Sequence, residues 1–554
     1  MLTPPVREAG DQAVVSIAER SERDNGRLKR AYNRSIGDAP GRRITRVSSR
    51  RLPGEKSAFH ALLSWPASMQ QTNFGRNVEI APQQFYTPSS ENEVLAVLDR
   101  HKGRGIRCVG KRHSWSRVLV SEDVLLDLRH LNQVEPQQHV GEPSVRVGAG
   151  CQIKRLLAEL RRLKQWTLPS VGFITEQTVA GAIATGTHGS GRHSLSHYVT
   201  SARVARYDRD SGQAVIEEIT GGDELRAVRC SLGCTGVILS LTMRCRDLYA
   251  VEEHFQEYPA LRTVLDAETE FPLQQFYLVP WRWTYFAQHR REVGAPASRT
   301  RSLYQWYRFL VFDIAMHLLI LFVVRIVRMH AAIRTMFRTV VPACVIRNWR
   351  VIGASSGQLV MEHELFRHVE IELFVQRAKL DAALHFLKNT LETAGGGAAV
   401  VDPAFQSQLE SINRAKELAE LRGIYCHHYP ICVRKILPDD TLISMASNAD
   451  EVASSNGDIA ATPPSGDAWY SITLTNYHRG RARNEFERLA KFLASSMSRL
   501  FEARPHWGKL CPMPPDELRE LYPAFGRFAR VCSEVDPHRK FSNAWTSELL
   551  DEVS

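Results

Sequence analysis

The order of apolar and polar positions along the chain predicts alternating short strands and helices, interrupted at two places by segments of another kind. Residues 1–56 hold no sustained periodicity and are rich in Arg, Ser and Gly. That stretch is expected to be disordered or loosely helical, with order beginning near Phe59. Residues 82–86 read as a strand, followed by a turn and a helix capped by Ser89 or Ser90. Strand and helix signals then alternate to about residue 248. Residues 106–109, 124–128 and 145–147 read as strands, and 153–163 as an amphipathic helix. Farther on, 369–375 alternates as a strand should and 381–392 reads as the helix after it, while 443–447 and 470–476 are further strand candidates.

The second interruption is the apolar run 309–327, Phe-Leu-Val-Phe-Asp-Ile-Ala-Met-His-Leu-Leu-Ile-Leu-Phe-Val-Val-Arg-Ile-Val. As a helix it would be about 28 Å long, near the thickness of a bilayer's hydrocarbon core. Asp313, His317 and Arg325 recur at multiples of four, so they share one face, which a helix surrounded by lipid would not tolerate cheaply. With Arg328, Arg334 and Arg338 beside it, the segment is expected to lie in a membrane interface. A buried helix or dimer contact and a true span are the alternatives.

Composition narrows the picture. At 554 residues there is material for two cores. The net charge of +11 is concentrated: residues 1–56 hold 13 Lys/Arg against 7 Asp/Glu, and residues 301–350 hold 8 Arg against the single acid Asp313. A nucleic-acid groove would need basic and aromatic residues interleaved across a fold, so no nucleic-acid partner is expected; local charge suits an anionic membrane surface or solvated tails. Ten scattered cysteines form no C-x-x-C pair, and Cys230 and Cys234 lack partners at zinc spacing. Reduced thiols and no metal centre are therefore expected. Since Met-Leu-Thr-Pro-Pro-Val-Arg-Glu lacks a secretory apolar run, the expected location is cytoplasmic, at the inner face of a membrane if the apolar segment docks.

Three segments carry candidate chemistry. The first, Val-Gly-Lys-Arg-His-Ser-Trp-Ser at 109–116, follows a strand and sets His113 on a Gly-opened turn whose N–H groups and hydroxyls can cradle phosphate. The second, 172–191, is dominated by small residues, so its backbone can approach a flat cofactor or a pyrophosphate closely. In the third, 231–242, a turn containing Gly233 and Gly236 feeds a β-rich run.

Taken in order, these segments resemble the FAD domain of the vanillyl-alcohol-oxidase superfamily, and within it the branch of arabinono-lactone, gulono-lactone and alditol oxidases. His506-Trp507-Gly508-Lys509 resembles that branch's His-Trp-Gly-Lys motif, and 536–543 its closing segment. The resemblance runs from about Asn73 to Leu550 and implies an α+β fold. It would comprise a two-lobed FAD-binding domain of the PCMH type over 74–249 and an antiparallel-sheet substrate or cap domain with covering helices over 250–504. The apolar, basic insertion 301–350 would fall within the cap, residues 505–554 would close over the flavin, and the basic segment 1–57 would precede the whole.

The resemblance also implies site residues. FAD would be held covalently through His113 to the flavin 8α carbon. Ser114, Trp115 and Ser116, with the backbone of Val109, Gly110, Lys111 and Arg112, would surround the pyrophosphate. Ser170, Gly172, Thr178, Gly181, Thr185, Gly186, His188 and Gly189 would line the isoalloxazine and ribityl chain. Gly233, Gly236, Val237, Ile238 and Asn543 would complete the cofactor site. Lys509, Arg434 and His506 would carry substrate chemistry, Lys509 as a cation for a developing alkoxide. One position departs from the family: Cys432 stands where a glutamate would accept bonds from substrate hydroxyls, and a thiol substitutes poorly. Glu362 or Glu364 is the next candidate acceptor. The leading expectation is an FAD-dependent oxidase or dehydrogenase acting on the CH–OH group of a sugar-acid lactone or polyol, with oxygen or an electron carrier as acceptor. The alternatives are a flavin dehydrogenase of a lipid-derived or membrane-borne alcohol, passing electrons to a quinone or carrier, and a non-catalytic flavin-binding docking protein.

Overall fold

A computed structural model describes residues 71–138, 143–361, 365–397, 402–448 and 468–551. The expectations for 1–57, Phe59, Glu362 and Glu364 lie outside the described residues. Ser90 caps the helix Glu91–Arg100 by accepting from the Glu93 N–H at 3.3 Å. Around that helix two sheets form. One is parallel, with Val124–Asp127 between Gln84–Tyr86 and Ile106–Val109. The other is antiparallel, in the order Ala214–Ile219, Val199–Tyr207, Val237–Arg244, Pro143–Gly148 and Val134–Gln138. They share one apolar core with the helix Ile153–Lys164.

The rest of the chain is organised by an eight-stranded antiparallel sheet. Its order is Val351–Ala354, Ala250–Tyr258, Tyr285–Val293, Gln275–Leu278, Ile431–Ile436, Trp469–Tyr477, His368–Gln376 and Arg504–Pro505. The helices Leu380–Ala394 and Arg481–Phe501 cover one face. Strand residues alternate between faces, and four neighbouring strands use that alternation alike. Phe276, Val433, Ile472 and Ile371 enter the core beneath the helices. Tyr277, Cys432, Thr473 and Glu372 turn the opposite way and line a cavity. The fold is thus the expected α+β arrangement of paired lobes and an antiparallel sheet with covering helices.

Residues 443–447 are not a strand. The Asp439 carboxylate accepts from the Thr441 N–H, the Thr441 hydroxyl and the Ser444 hydroxyl at 3.1, 2.6 and 2.7 Å. Those bonds curl the chain into a turn, leaving Ser447 with a single bridge to Asp439.

The apolar segment is a continuous helix, Arg301–Val327, with π turns at Arg308–Ala315 and Val323–Val327. One side meets the sheet and the segment that leads into it, with His317 Nδ1 3.1 Å from the Tyr477 hydroxyl. Tyr304 donates to Glu253 at 2.7 Å, Phe312 packs on Phe255 at 5.8 Å, His317 stacks on Phe366 at 4.5 Å, and Val323 is buried near the far end. Arg328, left-handed at φ 57°, ends it.

The end of the chain returns to the first lobe. The Ile106 N–H donates to Lys540 O at 2.7 Å, and the buried Arg107 guanidinium donates to the carbonyls of Phe541, Val118 and Leu232.

Candidate active site

A cavity of about 440 Å³ is walled by residues of the three larger sheets and by the inner side of the long helix. The turn 109–115 forms one wall, continued by Gly172, Thr178, Gly181, Thr185 and His188, and by Gly233, Gly236, Val237 and Ile238. Arg434, His506 and Lys509 enter from the sheet side. The turn owes its shape to Arg112, left-handed at φ 57°, whose carbonyl accepts from Phe74 N at 2.8 Å. The backbone N–H groups of Gly110, Lys111, Arg112 and Ser114 find no acceptor among the described residues. Four donors on one curved turn make a nest for an anion.

Five expected cofactor residues lie off the cavity wall. Ser116 donates to Trp507 O, fastening the turn to the His-Trp-Gly-Lys segment. Ser170 borders a separate small pocket on the far side of Arg434. Gly186, at φ 73°, packs against Met445. Gly189 sits where a Cβ would lie 2.6 Å from Val171 O. Asn543 forms a capping box at the helix Ala544–Leu550 and donates to Arg117 O and Val120 O at 2.9 and 3.0 Å. Their places follow from turn, packing and capping requirements instead.

The sheet supplies groups not foreseen from the sequence. Glu370 pairs with Lys509, accepts from Thr475 at 3.2 Å, and lies 3.3 Å from His368 Nε2. Burial raises its carboxyl, but Lys509 and His368 outweigh burial and hold it well below the ordinary range. Glu372 lies 3.2 Å from His188 Nε2 and accepts from Thr473 at 3.0 Å. It too stays ionised against burial, chiefly through His188. With His188 Nδ1 at 2.9 Å from Gly189 O, both nitrogens of that ring face acceptors. Burial lowers His506 to about 3, so its ring is neutral. Its Nδ1 accepts from Gly508 N at 2.9 Å, which leaves the ring proton on Nε2 as a donor.

His188, Glu372 and His506 offer ligand-type atoms within 4.8 Å of one another. Lys509 also lies 4.4 Å from the centre of the Trp115 ring. Burial pushes the Cys432 thiol up despite the Arg434 charge, so it stays protonated. Arg434 donates to Gln275 at 3.0 Å. The His113 ring stacks on Phe74 at 4.9 Å and is held neutral, lowered to about 4 by burial with His368 and Lys509 adding to it. The only trace of Glu370 and Glu372 in the sequence is the His-Val-Glu-Ile-Glu-Leu alternation, which reads equally as a solvated strand face.

A family profile described as D-arabinono-1,4-lactone oxidase matches residues 242–549, more than half of the chain. The chain belongs to this family. A second profile, an FAD binding domain, matches residues 82–208. The long-chain alcohol oxidase of an uncultured marine euryarchaeote is 51% identical over 482 residues, 87% of this chain and 97% of that relative. The L-gulono-1,4-lactone dehydrogenase of Mycobacterium tuberculosis (strain ATCC 25618 / H37Rv) is 24% identical over 480 residues, 85% of this chain and 96% of that relative. Among solved structures, cholesterol oxidase from B. sterolicum matches with a TM-score of 0.63 at 16% identity, over 91% of this chain and 100% of that one, and so shares the fold.

As a member of the arabinono-lactone oxidase family the protein is an FAD-dependent oxidoreductase. Its residues fit the cofactor. The four N–H groups that find no acceptor among the described residues match the needs of a pyrophosphate, and Gly233 and Gly236 adopt φ values of 78° and 114° where a side chain would strain the backbone. An apolar end, with Leu119, Val237 and Phe541, can take a flat ring.

Proposed function

We propose that the protein oxidises the CH–OH group of a long-chain, lipid-derived alcohol in preference to a sugar-acid lactone or alditol. One observation carries this reading: the wall of the cavity beyond Lys509. There Cys432 offers a protonated, buried thiol, and Phe312, Leu365 and Phe366 continue the lining around His317. A polyol needs acceptors for each hydroxyl it buries, and leaving them unmet is costly. An alkyl chain needs apolar surface, worth about 25 cal/mol per Å² removed from water. The similarity to a protein named long-chain alcohol oxidase supports the same choice.

Bound FAD would accept a hydride at flavin N5 and pass the electrons to oxygen or a carrier. The chain's own work is positioning and charge. The turn 110–114 would hold the pyrophosphate, and the neutral His113 imidazole would be the point of covalent attachment. Lys509, aimed by Glu370, and Arg434, held by Gln275, bring positive charge to the ionising hydroxyl. The Nε2–H of His506 donates in the same region. The carbinol carbon would give its hydride to the flavin and its oxygen a proton to the ionised Glu372 carboxylate on the cavity wall, leaving the aldehyde.

Anaerobic mixing with straight-chain alcohols of increasing length, and with L-gulono-1,4-lactone, D-arabinono-1,4-lactone and xylitol, tests the reading. Flavin bleaching should accelerate with chain length. Faster bleaching by a lactone or xylitol than by any alcohol would overturn it. Acid denaturation beforehand checks the attachment: flavin should stay with the polypeptide, and flavin released into the supernatant would reject the bond to His113.

A further inference from the structure

Of the eleven exposed large apolar residues among the described ones, ten lie between Leu303 and Leu365. On the long helix they form a stripe of Leu303, Trp306, Leu310, Leu318, Phe322 and Ile326, each at least 50% exposed. A patch of this kind on an otherwise polar protein marks a contact with another phase or partner. Its flanks are basic: Arg299, Arg325, Arg328 and Arg338 are exposed. The segment's single acid, Asp313, faces inward and lines the cavity.

We infer that this outward face docks the protein on an anionic lipid bilayer, lying in the interface without crossing it. Three features converge. The helix meets the sheet through Tyr304, Phe312 and His317, and Ile320 and Val323 join a core cluster with Phe286 and Tyr477, so its length is committed to the protein surface and cannot stand apart as a span. The strands flanking the excursion, Tyr285–Val293 and Val351–Ala354, both pair with Ala250–Tyr258, so the chain leaves and rejoins the same sheet. Lastly, an apolar stripe with guanidinium groups beside it complements acyl chains beneath anionic headgroups, with Trp306 suited to the boundary between them.

Because the inner side of the same helix walls the cavity through Phe312 and His317, an alkyl chain leaving the bilayer beside it reaches the site without crossing water. This delivery rests on the substrate proposed above, whereas the docking does not.

Vesicle flotation of the whole flavoprotein tests it, using phosphatidylcholine vesicles with and without phosphatidylglycerol. The protein should float with the anionic vesicles at least tenfold more than with the neutral ones, and high salt should weaken the association. The double variant L318D/F322D should remain at the bottom while bleaching with a short soluble alcohol at the native rate, which shows that it is folded. Four results would overturn the inference: no flotation with either vesicle; flotation unchanged in the variant; retention in membranes through alkaline carbonate extraction, the mark of a span; or a dimer in solution that the variant splits without any change in flotation. Flotation as expected with no bleaching by any alcohol would leave the docking intact and remove the proposed substrate.

Discussion

Lys509 is held from two sides, by the Glu370 carboxylate and by the face of Trp115. Replacing it with methionine keeps the volume of the side chain and removes its charge. K509M is expected to retain FAD and to be reduced by alcohol about a hundredfold to a thousandfold more slowly, the range for loss of one preorganised charge; stopped-flow bleaching at saturating alcohol reads the change. Cys432 offers the complementary case. Its neighbours already include Glu370 and Glu372, both ionised. C432E would restore the family's carboxylate but crowd a third negative charge into a buried site, so a lower melting temperature is expected, measured by thermal shift with flavin content followed in parallel. At this scale the turn 109–115 was legible in advance, because a glycine-opened turn after a strand has a specific chemistry. Glu370 and Glu372 were not: their alternation has the same look whether the opposite face of the strand meets water or a cavity.

Between elements, close approach sets the site. The turn after Ile106–Val109 lies against the start of the short helix Val179–Ala184, with a Cβ on Gly110 falling 2.2 Å from Thr178 Oγ1 and 3.0 Å from its Cγ2. Rotating the threonine exchanges one clash for the other. G110A should therefore push the turn away from the helix and lower flavin occupancy, read as the ratio of flavin to protein absorbance after purification. The strands around the site followed from periodicity, since 369–375 and 470–476 lie within His368–Gln376 and Trp469–Tyr477. Residues 443–447 misled because their apolar content mimics a strand, while Asp439 captures the local donors and bends the chain. Likewise Gly186 and Gly189 belong to a small-residue segment of which only part reaches the cavity, and Ser170 lies just before it. Composition cannot separate the glycines that admit a ligand from those that admit a neighbouring strand or side chain.

Across the whole molecule, buried histidines set the response to acid. Burial holds His193, His289 and His428 at about 4, below the ordinary value of about 6.5. Each is neutral in the fold and takes up a proton more readily when unfolded. Their contribution to stability is thus complete above the unfolded value and is lost as pH falls from about 6.5 toward 4. The melting temperature should drop across that interval, ahead of carboxylate protonation. H289Q, which can still meet Gln274 and Tyr258, should flatten the drop; an unchanged acid limb would exclude His289 as a contributor.

The last residues of the chain hold a position of another kind. Lys540 and Phe541 supply carbonyls to Ile106 and Arg107, more than four hundred residues earlier. During synthesis these partners are made at opposite ends of the process. While the ribosome still shelters the C-terminus, the first lobe lacks the segment that lines the cavity with Phe541 and ties down Arg107. Loading of the cofactor is thereby deferred until residues 540 and 541 are available to the first lobe, and a chain cut short before Lys540 would be expected to lack its colour.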